Sequence, residues 1–463
     1  MRKENNSALF DLSEDACENL LQDAMDMAVG YLANANVRPP YPTADAVSIA
    51  EGNITEFSDE PAPPRAVLAE LNSVYGDATI STHSGRYFGF VHGSSFPIGL
   101  AAKWLTTIWD QNTPLYALSP AASYLEDQTE AWLVEILGLP NNSKVGFVSS
   151  TSQSLLSAAF VARDALLGRL GWDVRTKGLR EAPALRVIVG EHAHNAVKRA
   201  LNIAGFGAAD IVIVPADNQG RMLVEAIPVL NERDIVFLQA GNIYSGAFDQ
   251  FSKILPEVRK AGAWAHVDGA FGLWAAASPE KQSLIAGMDL ADSWSADCHK
   301  TLNTPYSTGL IICRHGKEYT NHMSSSGTYL DFSKHRDGMD YSPDMARRFG
   351  AAEIWATLKF LGRRGLGQLI DRLCEVAQSL AAGLAADGYE VVNEVAFNQI
   401  TVCLADDLAT QKALRYIQES GVVWTGGGEW LGRTVIRISV SSWRTTQADV
   451  TKTLEIFRAA ARQ

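Results

Sequence analysis

Ser295-Ala296-Asp297-Cys298-His299-Lys300 follows a short apolar segment, and His266-Val267-Asp268-Gly269-Ala270 stands one strand–helix unit upstream. The pairing puts a lysine just past one strand end and a carboxylate just past the end of its neighbour. A lysine so placed can condense with an aldehyde cofactor, and the carboxylate can keep a pyridine nitrogen protonated. Either residue alone reads as a solvated surface charge or a turn former.

Working outward, short β-branched or apolar runs at 144–148, 185–189, 211–214, 235–239, 263–267, 293–296 and 309–313 alternate with helical stretches such as 154–167 and 251–261. The alternation predicts an α/β fold whose large domain holds a seven-stranded, mostly parallel sheet covered on both faces. Ligands of such sheets bind outside the carboxyl ends of the strands, where Asp268 and Lys300 fall. Beyond Tyr341, amphipathic helices are expected at 345–361 and 366–385, then strands at 400–404, 422–424 and 435–440, and a last helix from Gln447. Upstream, Ser13 reads as the N-cap of a helix with Leu20, Leu21, Ala24, Met25, Ala28 and Leu32 on one apolar stripe. Pro39-Pro40-Tyr41-Pro42 and Pro61-Ala62-Pro63-Pro64 break the next segment into an arm too poor for its own core and suited to packing on another subunit. The expected division is an N-terminal helical arm (1–80), a large ligand-binding domain (81–360) and a small C-terminal α+β domain (361–463).

The 463 residues carry a formal net charge of -12 with no basic stripe, which disfavours nucleic acid and anionic membranes as partners. Cys17, Cys298, Cys313, Cys374 and Cys403 are scattered without a CxxC pair, so neither a disulfide framework nor a structural zinc site is expected. The N-terminal stretch lacks the apolar core of a signal peptide, and no apolar run reaches the about 18 residues of a membrane span. A cytoplasmic protein is expected.

Ser149-Ser150-Thr151-Ser152 joins an apolar strand to a helix, where hydroxyls and free first-turn amides make an anion site fit for a cofactor phosphate. Standing alone it would be a Ser/Thr-rich N-cap and nothing more. His192-Ala193-His194 follows the run 185–189 without acidic or cysteine ligands nearby, so no metal is expected. His194 is suited either to stacking on a planar ring or to capping its own helix, and His299 either to lining the pocket or to orienting the turn. Phosphate site, stacking ring, carboxylate and lysine together predict bound pyridoxal 5′-phosphate.

These residues resemble the group II pyridoxal phosphate decarboxylases, the family of aromatic-L-amino-acid decarboxylase, glutamate decarboxylase and their bacterial relatives. The resemblance covers about residues 75 to 360 and rests on Ser150-Thr151-Ser152, Ala193-His194, His266 through Phe271, and Asp292-Ser293 through His299-Lys300. It implies fold type I, a homodimer with active sites at the subunit interface, a Schiff base on Lys300, and cofactor contacts from Asp268, Ala270, His194, Ser150, Thr151, Ser152 and His299. A fifth match, Gly327-Thr328-Tyr329-Leu330 behind Ser324-Ser325-Ser326, is similar to the family's mobile loop. There a tyrosine returns a proton to the substrate carbon after carbon dioxide leaves. Members with phenylalanine at this position resemble aldehyde synthases, so Tyr329 implies simple decarboxylation. Arg347-Arg348-Phe349 resembles the segment that pins the loop base or the dimer interface.

The chain also departs from the pattern. Gly241-Asn242-Ile243-Tyr244 replaces the family's Gly-Thr-Thr, leaving Asn242 to supply a hydrogen bond to the cofactor. Ser295-Ala296-Asp297 is also similar to sphingosine phosphate lyase, a carbon–carbon lyase of the same fold type that makes the runner-up reading. For the substrate, the segment 83–92 aligns with the family's pocket strand and offers Phe90 and His92, while Asn112 would reach the pocket of the other subunit. Aromatic amino acids are slightly favoured over acidic or diamino ones. Arg437 matches the carboxylate-binding arginine of related aminotransferases, but gripping the departing carboxylate would favour the ground state, so it reads as structural.

Overall fold

The computed structural model describes residues 14–324 and 334–463. Each of the seven expected runs forms a strand, its ends within one residue of the expected ones: β1 (Lys144–Val148), β2 (Arg186–Gly190), β3 (Ile211–Val214), β4 (Asp234–Gln239), β5 (Trp264–Asp268), β6 (Ser293–Asp297) and β7 (Gly309–Cys313). They form one sheet in the order β1-β7-β6-β5-β4-β2-β3, in which β7 runs antiparallel to both of its neighbours and the pairs from β6 to β3 are parallel. The strands from β4 to β7 are buried along their full length, which is why they read as continuous apolar runs.

Five helices precede the sheet: α1 (Glu14–Ala33), α2 (Ala44–Gly52), α3 (Pro64–Glu70), α4 (Pro97–Trp109) and α5 (Pro120–Ile136). Next come α6 (Thr151–Arg169), α7 (Val174–Lys177), α8 (Asn195–Ile203), α9 (Phe251–Lys260) and α10 (Gly316–Met323), which lie between or just after the strands. The α1 stripe differs in part from expectation: Ala24, Ala28 and Leu32 line a groove with Met27 and Tyr31, whereas Leu21 and Met25 face outward.

The expected helices 345–361 and 366–385 are one element, α11 (Ala351–Ala386), broken at Gly362, whose φ of 60° only glycine adopts without strain. It starts at Ala351, six residues later than expected, with Gly350 as its N-cap residue. The second sheet has the order β10-β11-β9-β8, from β8 (Glu390–Val391), β9 (Gln399–Cys403), β10 (Gly426–Trp430) and β11 (Arg433–Ser439). Helix α12 (Asp407–Glu419) packs on β11, and α13 (Gln447–Ala460) packs on α11 and α12. The segment 422–424 is not a strand; Trp424 makes a single bridge to Tyr87. The strand lies just downstream, where Gly426-Gly427-Gly428 concealed it because glycine weakens a strand pattern.

A buried ionic cluster ties α5 to the segment that leads into α11. Arg336 Nε lies 3.0 Å from Glu126 and its Nη1 2.8 Å from Glu130, with the guanidinium 3.7 Å from the centre of the Tyr341 ring. Arg347 pairs with Glu126, and Lys144 Nζ lies 2.7 Å from Glu130. Removing one member of such a cluster leaves buried charge uncompensated. Arg336→Met is therefore expected to destabilise the protein by about 3–5 kcal/mol, read as a lowered urea midpoint; an unchanged midpoint would show that the cluster contributes nothing.

Candidate active site

Parallel pairing sets Gln239 and Asp268, the last residues of β4 and β5, level with Ser295, two residues before the end of β6. Asp268 is the last residue of β5 and is buried, with Oδ1 accepting the Ala270 N–H at 3.1 Å. Burial pushes its carboxyl up, while Lys300 and His194 pull it down. His266, two residues earlier, is spent on structure: its ring nitrogens lie 2.9 Å from Ser293 Oγ and 3.3 Å from Ser295 Oγ, and burial drives its pKa down to about 3.

Beyond β6 the chain folds back through a tight turn. Asn303, in the left-handed region at φ 58°, accepts from the Ser94 and Trp443 amides at 2.9 and 3.0 Å, joining the turn to the segments on either side. Lys300 projects from this turn with Nζ 3.0 Å from Asp297 Oδ2. The same carboxylate lies 3.6 Å from His299 Nε2, and its other oxygen accepts the Thr151 N–H at 2.6 Å. His299 Nδ1 lies 2.7 Å from Thr308 O, so its ring orients the turn; its face packs on Tyr306 with ring centres 4.1 Å apart.

The Ser149–Ser152 segment caps α6. Ser149 bonds to Gln153, Ser150 is the extended N-cap residue without a side-chain capping bond, and the buried Thr151 hydroxyl has no partner. A Cβ on Gly309 would come within 2.8 Å of Ser150 Cα, so glycine at the start of β7 lets that strand close on the cradle. His194 is the N-cap of α8 and its Nδ1 accepts the Ala196 N–H at 3.2 Å. Desolvation by the surrounding protein lowers its pKa, opposed by Asp268.

Asn242 is wholly buried, and its Oδ1 accepts from the Tyr244 and Ser245 amides at 2.8 and 3.2 Å. Its carboxamide oxygen thus holds the loop after β4, while Nδ2 donates to His192 O at 3.4 Å. His92 has a buried Nδ1 without a partner and lies 4.9 Å from the Tyr306 ring. Phe90 is exposed and stacks on Trp424 at 5.5 Å. Asn112 accepts the Arg347 N–H at 2.9 Å, which ties it to the ionic cluster. Tyr329 lies outside the described residues.

The residues that the sequence reading left without a role are Asp297, Tyr306 and the group around Arg437. Asp297 stood in the quoted motif, three residues before Lys300, but its bond to Thr151 spans the sheet and has no local signature. Arg437 lies over Tyr244, which stacks on Trp430, and its buried Nε has no hydrogen-bond partner. Among the described residues no cluster of three or more His, Cys, Asp or Glu is arranged to hold a metal, and no helix is long and apolar enough to cross a membrane.

The family model of the pyridoxal-dependent decarboxylase conserved domain matches residues 51–404. The chain is 25% identical to an aromatic-L-amino-acid decarboxylase of Bacillus atrophaeus, over 98% of this chain and 97% of that protein. It is 24% identical to an L-2,4-diaminobutyrate decarboxylase of Acinetobacter baumannii, over 72% and 70% of the two chains. In fold it matches the crystal structure of Oryza sativa TDC with PLP and tryptamine, with a TM-score of 0.90, 21% identity, and coverage of 98% and 99%. With a family match that spans most of its length and a type I sheet beneath it, the chain belongs to the pyridoxal-dependent decarboxylases, amino acid decarboxylases that work with pyridoxal phosphate.

Proposed function

We propose that the protein decarboxylates an aromatic L-amino acid to the amine and carbon dioxide, with Lys300 as the cofactor-anchoring amine and Tyr329 as the proton donor. The observation that carries the reading is one constellation: the Lys300 amine beside Asp297, the buried Asp268 carboxylate one strand over, and the unpartnered Thr151 hydroxyl at the start of α6. The donor set fits the cofactor. Pyridoxal phosphate, when bound, supplies an electron sink for the charge left at the substrate α-carbon.

The chain's own residues divide the remaining work. The first-turn amides and hydroxyls of Ser150, Thr151 and Ser152 bind the phosphate. Asp268 holds a proton on the ring nitrogen, since a nearby carboxylate favours the charged form of that group. His194, Ala270 and Asn242 would hold the cofactor ring, with Asn242 Nδ2 as a donor. His299 keeps the Lys300 turn in place, and Tyr329 Oη delivers a proton to the α-carbon.

The cluster Tyr41, Tyr87, Phe90 and Trp424 supports an aromatic substrate, with Tyr87 and Trp424 stacked at 5.2 Å and His92 edge-on to Tyr87. A second reading, an acidic substrate, is favoured by Arg437, a half-buried guanidinium with no carboxylate within ion-pair distance among the described residues. Exposed apolar residues on α4 (Trp104, Leu105, Ile108 and Trp109) and on α1 (Leu21, Met25 and Val29) support a homodimer.

Three outcomes are expected. Incubating the protein and pyridoxal phosphate with the twenty amino acids and common diamino acids should release carbon dioxide and the matching amine from an aromatic member; release from glutamate or aspartate alone would establish the acidic reading. No carbon dioxide from any of them, with aldehyde formed from a phosphoamine, would establish the carbon–carbon lyase reading instead. Tyr329→Phe should lower amine formation by about 10²–10⁴-fold, the usual worth of a positioned proton donor, and divert product to aldehyde. An unchanged amine yield would remove Tyr329 from the mechanism. Sedimentation should give twice the 50.2 kDa chain mass, with Ile108→Asp shifting the protein to monomer; a monomeric wild type would overturn the dimer.

A further inference from the structure

We propose that Asp297 is a tethered counter-anion: its carboxylate lies on the anion cradle at the start of α6 and competes there with a phosphate. The inference rests on the assignment of Lys300 and Thr151 made above. Asp297 is 3% exposed, at the end of β6, and uses both oxygens. Oδ1 takes the N–H of Thr151, the first residue of the 19-residue helix α6, at 2.6 Å. Oδ2 lies 3.0 Å from Lys300 Nζ. One carboxylate thus contacts both a group that would bind the cofactor phosphate and the group that would bind its aldehyde.

The cradle nevertheless has unused capacity. The Thr151 hydroxyl, on a residue only 5% exposed, has no partner, and Ser150 makes no capping bond with its side chain. A buried donor left unsatisfied is uncommon and calls for an explanation. Here the explanation is that the carboxylate covers the amide but not the hydroxyl, whereas a phosphate, with more acceptor oxygens, would take both. Two anions on one helix end compete for the same N–H and repel each other in a poorly solvated site. The carboxylate therefore weakens phosphate binding while it pairs with Lys300 and ties the Lys300 turn to α6. Asp297 is a positioning residue in this scheme, acting through Thr151 and Lys300.

The test uses the full-length chain freed of cofactor and two probes: inorganic phosphate, and 4′-deoxypyridoxine 5′-phosphate, which lacks the aldehyde. Binding is followed by calorimetry and by the rise in unfolding temperature. Asp297→Asn keeps an acceptor for Thr151 but removes the charge. It should bind both probes about tenfold more tightly than wild type, consistent with a charge–charge term between close, partly buried groups. Without a probe it should unfold at a lower temperature. Asp297→Ala should also bind more tightly, which guards against an effect peculiar to the amide. Equal or weaker binding in both variants would overturn the proposal, because a purely structural carboxylate can only be missed when it is removed. If neither probe binds any variant, and added pyridoxal phosphate gives the wild type no visible Schiff-base absorbance, the site assignment itself falls and the proposal with it.

Discussion

The parallel hydrogen bonding of β4, β5 and β6 is the constraint on which the site depends. It brings Gln239, Asp268 and Ser295 to one level, so that a carboxylate and a lysine 32 positions apart in the sequence face the same side of the sheet edge. The strands are buried on both faces, which leaves their carboxyl ends as the place where polar side chains can converge without desolvated backbone beside them. A slip of one residue in β6 would turn Asp297 away from Thr151, since successive side chains point to opposite faces.

Charge balance around this edge follows from the same geometry. Asp268 and Asp297 flank Lys300, and the loss of hydration that raises the Asp268 pKa is countered by Lys300 and His194. The Arg336 cluster solves the corresponding problem on the far side of α5, where Glu126 and Glu130 are buried and each is met by a cation. Arg437 is different: desolvation lowers its pKa, and the Tyr244 ring, not a carboxylate, faces it. A half-buried cation held this way carries a desolvation cost that the ring offsets only in part.

Local pattern carried far in this chain. The seven strands of the large sheet were legible because each is a short apolar run bounded by turn residues, and the Ser149–Ser152 cap and His194 were legible because strand-to-helix junctions have a side-chain signature. β10 was not, because three glycines in succession carry no strand signal and their pairing with β11 supplies the order. The start of α11 was misplaced because Arg347 and Arg348 suit a helix locally but are drawn into ion pairs with Glu126 and Glu353. That the Asn242 carboxamide oxygen holds the loop after β4 was not legible, because its partners are set by the fold of that loop.

The sequence by itself determined the kinds of group present and their spacing along the strands: a lysine, two acids, a hydroxyl-rich cap and a histidine, each at the end of a predictable element. Only the tertiary structure decided which of them meet. Asp297 reaches Thr151 across 146 positions, and Asn303 reaches Ser94 across 209, through bonds made only when the sheet and the chain around it are assembled. Residue type and periodicity are local properties of the chain, whereas a hydrogen bond between distant segments depends on strand order and register, which the pattern within any one segment does not contain.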